Sequence, residues 1–258
     1  MELADKIING ERAAIAKAIT LVESSKPDDR IESRKLISQL IDNPGKSIRV
    51  GFSGPPGVGK STFLKYVSQQ IPEVEIVLEP VGVWENLKCE NDKSLLTHFY
   101  EDSKRWGYTF QNCAILTRIL ELRETIKKTN KRIIITERSV LTDKNVFAKM
   151  NKDIGNINKL EWDLYNKWFD GFSDETPIHA AIYITTSPTT ANERIKIRNR
   201  NGESNIPFEY LKNLDLYHKN WLNDNKDMPV LKISTEENMY IYENIEKLKK
   251  FIEILKSK

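Results

Sequence analysis

The spacing of hydrophobic residues changes once along this chain, near residue 46. Before that point apolar side chains recur every three or four residues in three groups, within residues 3–8, 15–22 and 31–41. This spacing places them on one face of a helix, so it predicts three amphipathic helices. The sequence Asn-Pro-Gly at residues 43–45 then marks a break, because proline and glycine interrupt helices. We therefore predict a helical extension over residues 1–46.

Beyond the break, short runs of β-branched residues alternate with longer amphipathic segments. The runs predict five strands, at residues 48–52, 74–78, 132–136, 180–185 and 230–233. The segments between them, at residues 60–70, 93–128, 140–171 and 188–226, are long enough for one or two helices each, and a last helix is predicted over about 240–256. Strands separated by helices favour a parallel sheet that is covered on both faces. The fold class predicted for residues 47–258 is therefore α/β, with a five-stranded parallel sheet.

Composition excludes several classes of partner. A net charge of +3, from 40 Lys and Arg against 37 Asp and Glu, is too small to imply a nucleic-acid partner. No apolar run approaches the roughly 18 residues that a membrane span needs. There are only two cysteines, without a CxxC motif, and the first residues are too acidic for a signal or transit peptide. We expect a cytoplasmic protein that binds neither nucleic acid nor membranes.

The first predicted strand leads into a nonapeptide, Gly-Pro-Pro-Gly-Val-Gly-Lys-Ser-Thr at residues 54–62, called the phosphate loop below. It matches the GxxxxGK[ST] motif, with a strand before it and a helix after it. In such a loop backbone N–H groups face one anion, Lys60 would reach the β- and γ-phosphates, and Ser61 would ligate Mg²⁺. The motif predicts a bound nucleoside triphosphate without distinguishing kinases, GTPases and ATPases. The residues expected to hold the nucleotide are Gly54, Gly57, Val58, Gly59, Lys60, Ser61 and Thr62.

Carboxylates follow the second and third predicted strands. Glu79 precedes a proline, which biases it toward extended backbone, and Glu137-Arg138 ends the third strand. Ligands bind at the carboxyl edge of open α/β sheets, so both acids should face the phosphate loop. One glutamate could accept a proton from a hydroxyl while Arg138 holds it, and the second could help to place Mg²⁺. The arrangement suits phosphoryl transfer to an alcohol.

A further group of arginines begins on a predicted helix. Arg194, Arg198 and Arg200 are four and then two residues apart, and they run into Asn201-Gly202. Arginines in a closing segment can neutralise a transferring phosphoryl group. The alternative is a solvated helix end, and the spacing alone does not decide between the two.

From about residue 47 to 238 the chain resembles the deoxynucleoside kinases of the deoxycytidine and deoxyguanosine kinase type. The resemblance is carried by Glu-Pro-Val-Gly-Val-Trp at 79–84, Phe-Tyr-Glu-Asp at 99–102, Glu-Arg-Ser at 137–139 and Ile-Pro-Phe-Glu-Tyr-Leu at 206–211, with Arg105-Trp106, Phe110-Gln111, Asp143, Phe147 and Glu161-Trp162. It implies a P-loop kinase fold, a homodimer, and transfer of phosphate from ATP to the 5′-hydroxyl of a deoxynucleoside with Mg²⁺.

One departure from the family pattern is Pro55-Pro56 in the phosphate loop, which removes two N–H donors and leaves those of residues 57–62.

The resemblance also implies a role for each matching residue. Glu79 resembles the general base for the 5′-hydroxyl, held by Arg138, with Lys60 and Glu137 completing the catalytic set. The implied contacts are Tyr100 and Glu209 for the sugar 3′-hydroxyl, Gln111 for the base edge, Trp84, Phe110 and Phe147 for the walls of the base slot, Ser61 and Glu137 for Mg²⁺, and Arg194, Arg198 and Arg200 over ATP.

Spacing on the predicted helix 93–128 supports a base-reading site. Gln111 and Arg118 are seven residues apart, so they lie on one helix face. Asp143, after the third strand, could pair with Arg118 at the back of the slot. Such a pair would occupy the space that a thymine methyl needs, so we expect deoxyguanosine, deoxyadenosine or deoxycytidine to be preferred over thymidine. A purely structural ion pair is the alternative.

The first 63 residues carry a second resemblance, to the N-terminal part of the GTPase chaperones of methylmalonyl-CoA mutase. It rests on residues 10–13, 18–24 and 49–57 and stops near Phe63. It implies an alternative function as a GTPase chaperone of a cobalamin-dependent mutase. That alternative requires an Asn-Lys-x-Asp guanine-reading motif, and the nearest sequence, Asn151-Lys152-Asp153, lacks the spacer residue.

Overall fold

The computed structural model describes residues 3–24, 26–41, 47–90, 92–198, 206–223, 225–236 and 242–257. The chain divides into two compact units, Met1–Ser47 and Ile48–Lys258.

The first unit contains the three helices that the hydrophobic spacing predicts. They are α1 (Leu3–Ile8), α2 (Arg12–Glu23) and α3 (Pro27–Ile41). Gly10 has a φ of 77° in the turn between α1 and α2, a left-handed conformation that glycine adopts without a steric penalty. Ala4, Ala14 and Leu36 are buried within the unit.

The second unit is built on five parallel strands in the order β2-β3-β1-β4-β5. Their bounds are β1 Ile48–Ser53, β2 Val74–Val77, β3 Ile133–Glu137, β4 Ala180–Thr185 and β5 Val230–Ser234. The predicted five-stranded parallel sheet is confirmed, with each strand end within one residue of its expected place. The shift of β3 makes Glu137 the last residue of that strand.

Helices cover both faces of this sheet. On one face Phe52 and Ile182 pack with residues of α4 (Lys60–Gln70) and α13 (Tyr242–Lys256). On the other face Ile134 packs with α7 (Ser103–Lys128), and Tyr183 packs with α12 (Phe208–Leu222). Neighbouring residues of a strand point to opposite faces, which explains why most residues of these strands are hydrophobic.

The other helical segments lie in the connections between the strands. They are α5 (Val81–Asn86), α6 (Leu95–Glu101), α8 (Val140–Thr142), a π-helical segment (Asp143–Ala148), α9 (Lys149–Asp153), α10 (Lys159–Phe172), a 3₁₀ turn (Ser173–Glu175) and α11 (Pro188–Arg198). Residues 140–171 are thus more divided than the sequence predicts, because Gly155 turns the chain with a φ of 81° and Asn158 and Glu161 form a capping box for α10. Across the described ranges, no helix is both long and apolar enough to cross a bilayer.

The strand order reverses at β1, whose two neighbours are β3 and β4. A crevice opens at such a switch point, outside the carboxyl ends of the strands. The phosphate loop follows β1 at this edge, Glu79 follows β2, and Glu137 lies opposite Phe52 at the end of β3. The fold therefore assembles the phosphate loop and the two strand-end carboxylates at one edge.

The start of the phosphate loop leaves no space for a side chain. A Cβ atom on Gly54 would lie 2.5 Å from the carbonyl oxygen of Ile184 in β4, whereas one on Gly82 of α5 would meet nothing within 4 Å. We predict that Gly54→Ala lowers the free energy of unfolding by about 1–3 kcal/mol, because the loop must move away from β4. Denaturant titration of the two variants checks this, with Gly82→Ala as the control; equal stability of both would contradict the prediction.

Candidate active site

The phosphate loop is wound by two glycines in the left-handed conformation, Gly57 with φ 81° and Gly59 with φ 84°. Lys60 is buried, and its ammonium group donates to the carbonyl oxygens of Gly54 at 2.9 Å and Pro55 at 2.8 Å. Burial and then the charge of Arg138 lower the pKa of Lys60 to about 7. A triphosphate would offset both effects, because its negative oxygens favour the ammonium form.

Helix α11 packs directly on this loop. A Cβ atom on Gly57 would lie 2.3 Å from the carbonyl oxygen of Ala191, so only glycine fits at the contact. Of the three predicted arginines, Arg198 lines the cavity next to the loop. Arg194 instead donates to the carbonyl oxygen of Thr235 at 2.8 Å. Arg200 lies outside the described residues.

Glu79 is held by two arginines. Its Oε1 atom accepts hydrogen bonds from Arg118 and from Arg138, and its side chain is 11% exposed. Burial alone would raise the pKa of this carboxyl, but the charges of Arg138 and Arg118 outweigh burial and lower the pKa to about 2. Glu79 is therefore an ionised carboxylate at any physiological pH.

Glu137 and Ser61, the predicted magnesium ligands, are in contact. The hydroxyl of Ser61 donates to Oε1 of Glu137 at 2.8 Å, and the backbone N–H of Glu79 approaches Oε2 at 3.5 Å. A hydroxyl and a carboxylate are oxygen ligands of the kind that Mg²⁺ prefers. The described residues hold no cluster of three or more His, Cys, Asp or Glu side chains suited to a metal. A Mg²⁺ ion here would take its other ligands from phosphate and water, which is how this ion is usually bound beside nucleotides.

The predicted pair of Arg118 and Asp143 is present and buried. Nε of Arg118 donates to Oδ2 of Asp143 at 2.8 Å, and its Nη1 donates to the carbonyl oxygen of Glu137 at 3.1 Å. Burial raises the pKa of Asp143 to about 6 even though Arg118 opposes that shift. Burial lowers the pKa of Arg118, but Asp143 and Glu79 outweigh it and raise that pKa above its ordinary value. Arg118 therefore links Asp143 to Glu79, a contact that the sequence did not predict.

These groups line one cavity of about 800 Å³, including the part open to solvent, called the active-site cavity below. Three of its walls are the predicted aromatic residues Trp84, Phe110 and Phe147. Trp84 meets Phe110 edge to face at 5.2 Å and donates from its indole nitrogen to Thr117 at 3.0 Å. Aromatic side chains of this kind provide apolar surface against which a nucleobase can pack.

Gln111 supplies polar atoms to this slot. Its side chain is 1% exposed and lines the active-site cavity, and neither its amide nitrogen nor its amide oxygen has a hydrogen-bond partner in the described structure. Buried amides are nearly always hydrogen-bonded, so an unpartnered amide in a cavity wall indicates a ligand with a complementary edge.

The two predicted sugar-binding residues are placed differently. Tyr100 lines the active-site cavity. Glu209 does not line it; the carboxylate is 75% exposed and pairs with Lys212 at 2.7 Å within the first turn of α12. The role of Glu209 therefore stays a prediction from the sequence.

Comparison with known proteins agrees with this geometry. The family model of deoxynucleoside kinases matches residues 51–256. This chain is a member of the deoxynucleoside kinase family. It is 31% identical to human deoxycytidine kinase, with 80% of this chain and 92% of that protein covered. It is also 31% identical to the mitochondrial deoxyguanosine kinase of Xenopus laevis (74% and 82% covered) and 36% identical to a probable deoxycytidine kinase of fowlpox virus (72% and 78%).

A second family model matches the front of the kinase. The model of the methylmalonyl-CoA mutase-associated GTPase MeaB covers residues 15–75. That match ends before Glu79, and it overlaps the deoxynucleoside kinase match only around the phosphate loop and the segment after it. The expected resemblances to both families are thus confirmed, although the match to the GTPase family extends to residue 75, beyond the expected end near Phe63. The match to kinases covers far more of the chain.

Two aromatic walls of the active-site cavity, Phe99 and Tyr210, were not among the site residues predicted from the sequence. Phe99 of α6 stacks on Phe110 with ring centroids 4.5 Å apart, and Tyr210 of α12 also lines the cavity. Leu96, Phe99 and Tyr100 all line the cavity from α6. Their helical spacing of three and four residues was the available signal.

Proposed function

We propose that this kinase transfers the γ-phosphate of ATP to the 5′-hydroxyl of a deoxynucleoside, giving the 5′-monophosphate for nucleotide salvage. The observation that carries the proposal is the Glu79 carboxylate, held by Arg118 and Arg138 beside the phosphate loop. A fixed carboxylate next to a phosphate cradle is suited to orienting an alcohol for in-line attack.

Glu79 would accept the hydrogen bond, and finally the proton, of the 5′-hydroxyl. With a pKa of about 2 it is a weak base, but it is always ionised and always an acceptor. Phosphoryl transfer through a loose transition state depends more on position and charge than on base strength. Arg138, which donates to Glu79 in the protein without ligand, would keep that hydrogen bond and also donate to the oxygen that is being phosphorylated.

Charge on the transferring group would be offset by residues of the loop and of α11. Lys60 would leave the carbonyl oxygens of the loop and bind the β- and γ-phosphates, and Arg198 would lie over them. Ser61 and Glu137 would hold Mg²⁺, which neutralises phosphate charge when bound. Arg194 and Arg200 are proposed to join the nucleotide site when ATP binds.

The base slot supports a preference for deoxyguanosine, deoxyadenosine or deoxycytidine over thymidine. Gln111 would hydrogen-bond the base edge, and Arg118 with Asp143 would occupy the back of the slot. Deoxyribose would be bound at the 3′-hydroxyl by Tyr100 and Glu209, the latter by turning inward.

The base assignment predicts the effect of Glu79→Gln. The variant keeps the shape of the side chain and loses the proton acceptor, so turnover should fall about 10²- to 10⁴-fold. ATP affinity should stay within about twofold of that of the unsubstituted protein, because Glu79 would contact the nucleoside that accepts the phosphate and not ATP. Radiolabel transfer and calorimetric ATP binding measure the two quantities, with exposed Glu85→Gln as the control. Unchanged turnover in Glu79→Gln would refute the assignment.

The specificity assignment predicts the effect of replacing Arg118 by Leu and Asp143 by Ala together. Removing both partners leaves neither charge buried alone and opens the back of the slot. Absolute rates should fall, because Glu79 loses one arginine, so the measured quantity is the ratio of kcat/KM for thymidine to that for deoxycytidine. We expect this ratio to rise about tenfold or more.

A matched control for that pair exists on the same helix. Arg123 of α7 pairs with Glu175 at the surface at 3.0 Å. Replacing these two residues by Leu and Ala should leave the ratio unchanged. If the ratio of kcat/KM for thymidine to that for deoxycytidine is the same in both double variants, the Arg118–Asp143 pair is structural and does not select the base.

We also propose a homodimer formed through α7 and α10. Leu120 of α7 and Trp168 of α10 are 57% and 47% exposed, and the two helices pack side by side through Ile119 and Phe169. Exposed apolar faces on adjacent helices are typical of interfaces. Light scattering should give the mass of two chains, and Leu120→Glu should give one, while Ile154→Glu, at an exposed apolar position elsewhere, should not. A monomeric unsubstituted protein would contradict the proposal.

A cytoplasmic location stays part of the proposal. Cys89 and Cys113 are both free thiols, which fits a reducing compartment. The GTPase alternative is not favoured, because the sequence has no Asn-Lys-x-Asp guanine-reading motif. The match to the GTPase family ends at residue 75, and the cavity residues beyond that point belong to the proposed kinase site.

A further inference from the structure

Arg138 adopts a backbone conformation that is costly for its residue type. Its φ is 60°, in the left-handed region, which costs a non-glycine residue roughly 1–2 kcal/mol. The backbone N–H donates to the carbonyl oxygen of Phe52 in β1 at 2.8 Å, which holds the residue in place at the end of β3. The side chain lines the active-site cavity. Strain of this kind is found where a structure must aim one side chain into a site.

The guanidinium of Arg138 is less well bonded than that of Arg118. Arg118 donates to Asp143 and to the carbonyl oxygen of Glu137 as well as to Glu79. Arg138 donates to Glu79, while its Nε–H is buried and has no acceptor in the described structure. A single charged contact leaves a planar guanidinium free to rotate about that contact.

The second contact of Arg138 is the ring of Phe147. The guanidinium carbon lies 4.5 Å from the centroid of this ring, within the range of a cation–π interaction. The ring is 8% exposed and meets His218 edge to face at 6.1 Å. His218 stacks in turn on Tyr183 of β4, with centroids 5.9 Å apart. Phe147 is therefore connected to β4 through His218 and contacts the arginine as well.

We propose that Phe147 is a positioning residue, whose ring holds the guanidinium of Arg138 in the orientation that clamps Glu79. Phe147 also lines the base slot. One side chain therefore serves both the recognition of the base and the alignment of the group that acts on the 5′-hydroxyl. The kinetic consequence rests on the proposed function, whereas the contact itself is testable without any substrate.

The first test observes Arg138 directly. An aromatic ring shifts the NMR signal of a proton held near its face, so the Nε–H signal of Arg138, assigned by its loss in Arg138→Lys, should lie away from the position of an ordinary arginine. In Phe147→Leu it should move to that position, and in Phe147→Tyr it should not. Phe110→Leu is the matched control, because Phe110 lines the same cavity and packs on Phe99 and Trp84. Phe147→Met, which keeps the volume, serves if the leucine variant does not fold.

The second test separates alignment from binding. Phe147→Leu should lower kcat about 2- to 30-fold, from a cation–π contribution of about 0.5–2 kcal/mol, in addition to raising the KM for the nucleoside. Phe110→Leu should raise that KM with a much smaller change in kcat, and Phe147→Tyr should restore kcat.

The outcomes distinguish this inference from the proposed function. An Arg138 signal that does not respond to Phe147→Leu or Phe147→Met would overturn the inference even if the kinase is active. A signal that moves as expected, in a protein that phosphorylates no deoxynucleoside, would support the contact and reject the function. Equal kcat in Phe147→Leu and Phe110→Leu would show that the ring only builds the slot.

Discussion

The active site depends on one buried carboxylate that is shared between two guanidinium groups. Taking Glu79 out of water is unfavourable, and the charges of Arg138 and Arg118 more than offset that cost. Each arginine is itself fixed, Arg118 by Asp143 and Arg138 by the face of Phe147. The result is a continuous row of alternating charges in which no member is left alone. Such a row is preorganised, so little rearrangement is needed when a hydroxyl arrives.

The fold is what brings this row together. Glu79 follows β2, Arg138 follows β3, Arg118 lies in the middle of the long helix α7, and Asp143 begins the π-helical segment. The segments after β2, in α7 and after β3 are distant in sequence, and the first and last of them meet because β3 lies next to β2 in the sheet. The apolar layers on both faces of the sheet set the position of every charged group above it.

The parts of the site that sequence could predict are those with local rules. The phosphate loop has a fixed motif, and the strand-end glutamates follow from the alternation of strands and helices. The pairing of Arg118 with Asp143 followed from placing one on a helix face and the other just after a strand. The contact of Arg118 with Glu79 depends on how deeply α7 packs against the end of β2, and no local pattern encodes that depth. The π-helical turn at Asp143–Ala148 likewise has no known sequence signal.

Two of the predicted site residues do not line the active-site cavity. Arg194 and Glu209 lie on α11 and α12, on either side of residues 199–205, and both pair with nearby protein groups. Their predicted partners are substrates. In the protein without ligand, the two side chains therefore pair with neighbouring protein groups. The resemblance to kinases could name these residues, but it could not say which of them are already in place.

The segment shared by the two family matches, residues 51–75, consists of the second half of β1, the phosphate loop, α4 and the start of β2. Its neighbours in the sheet come from later in the chain, and the GxxxxGK[ST] motif of its loop is common to kinases and GTPases. An exchange of coding sequence within this stretch would therefore join a new front to an intact catalytic body without altering the order of the strands. The phosphate loop therefore lies where the two family matches overlap, and the helices of residues 3–41 precede the part of the chain that the kinase family covers.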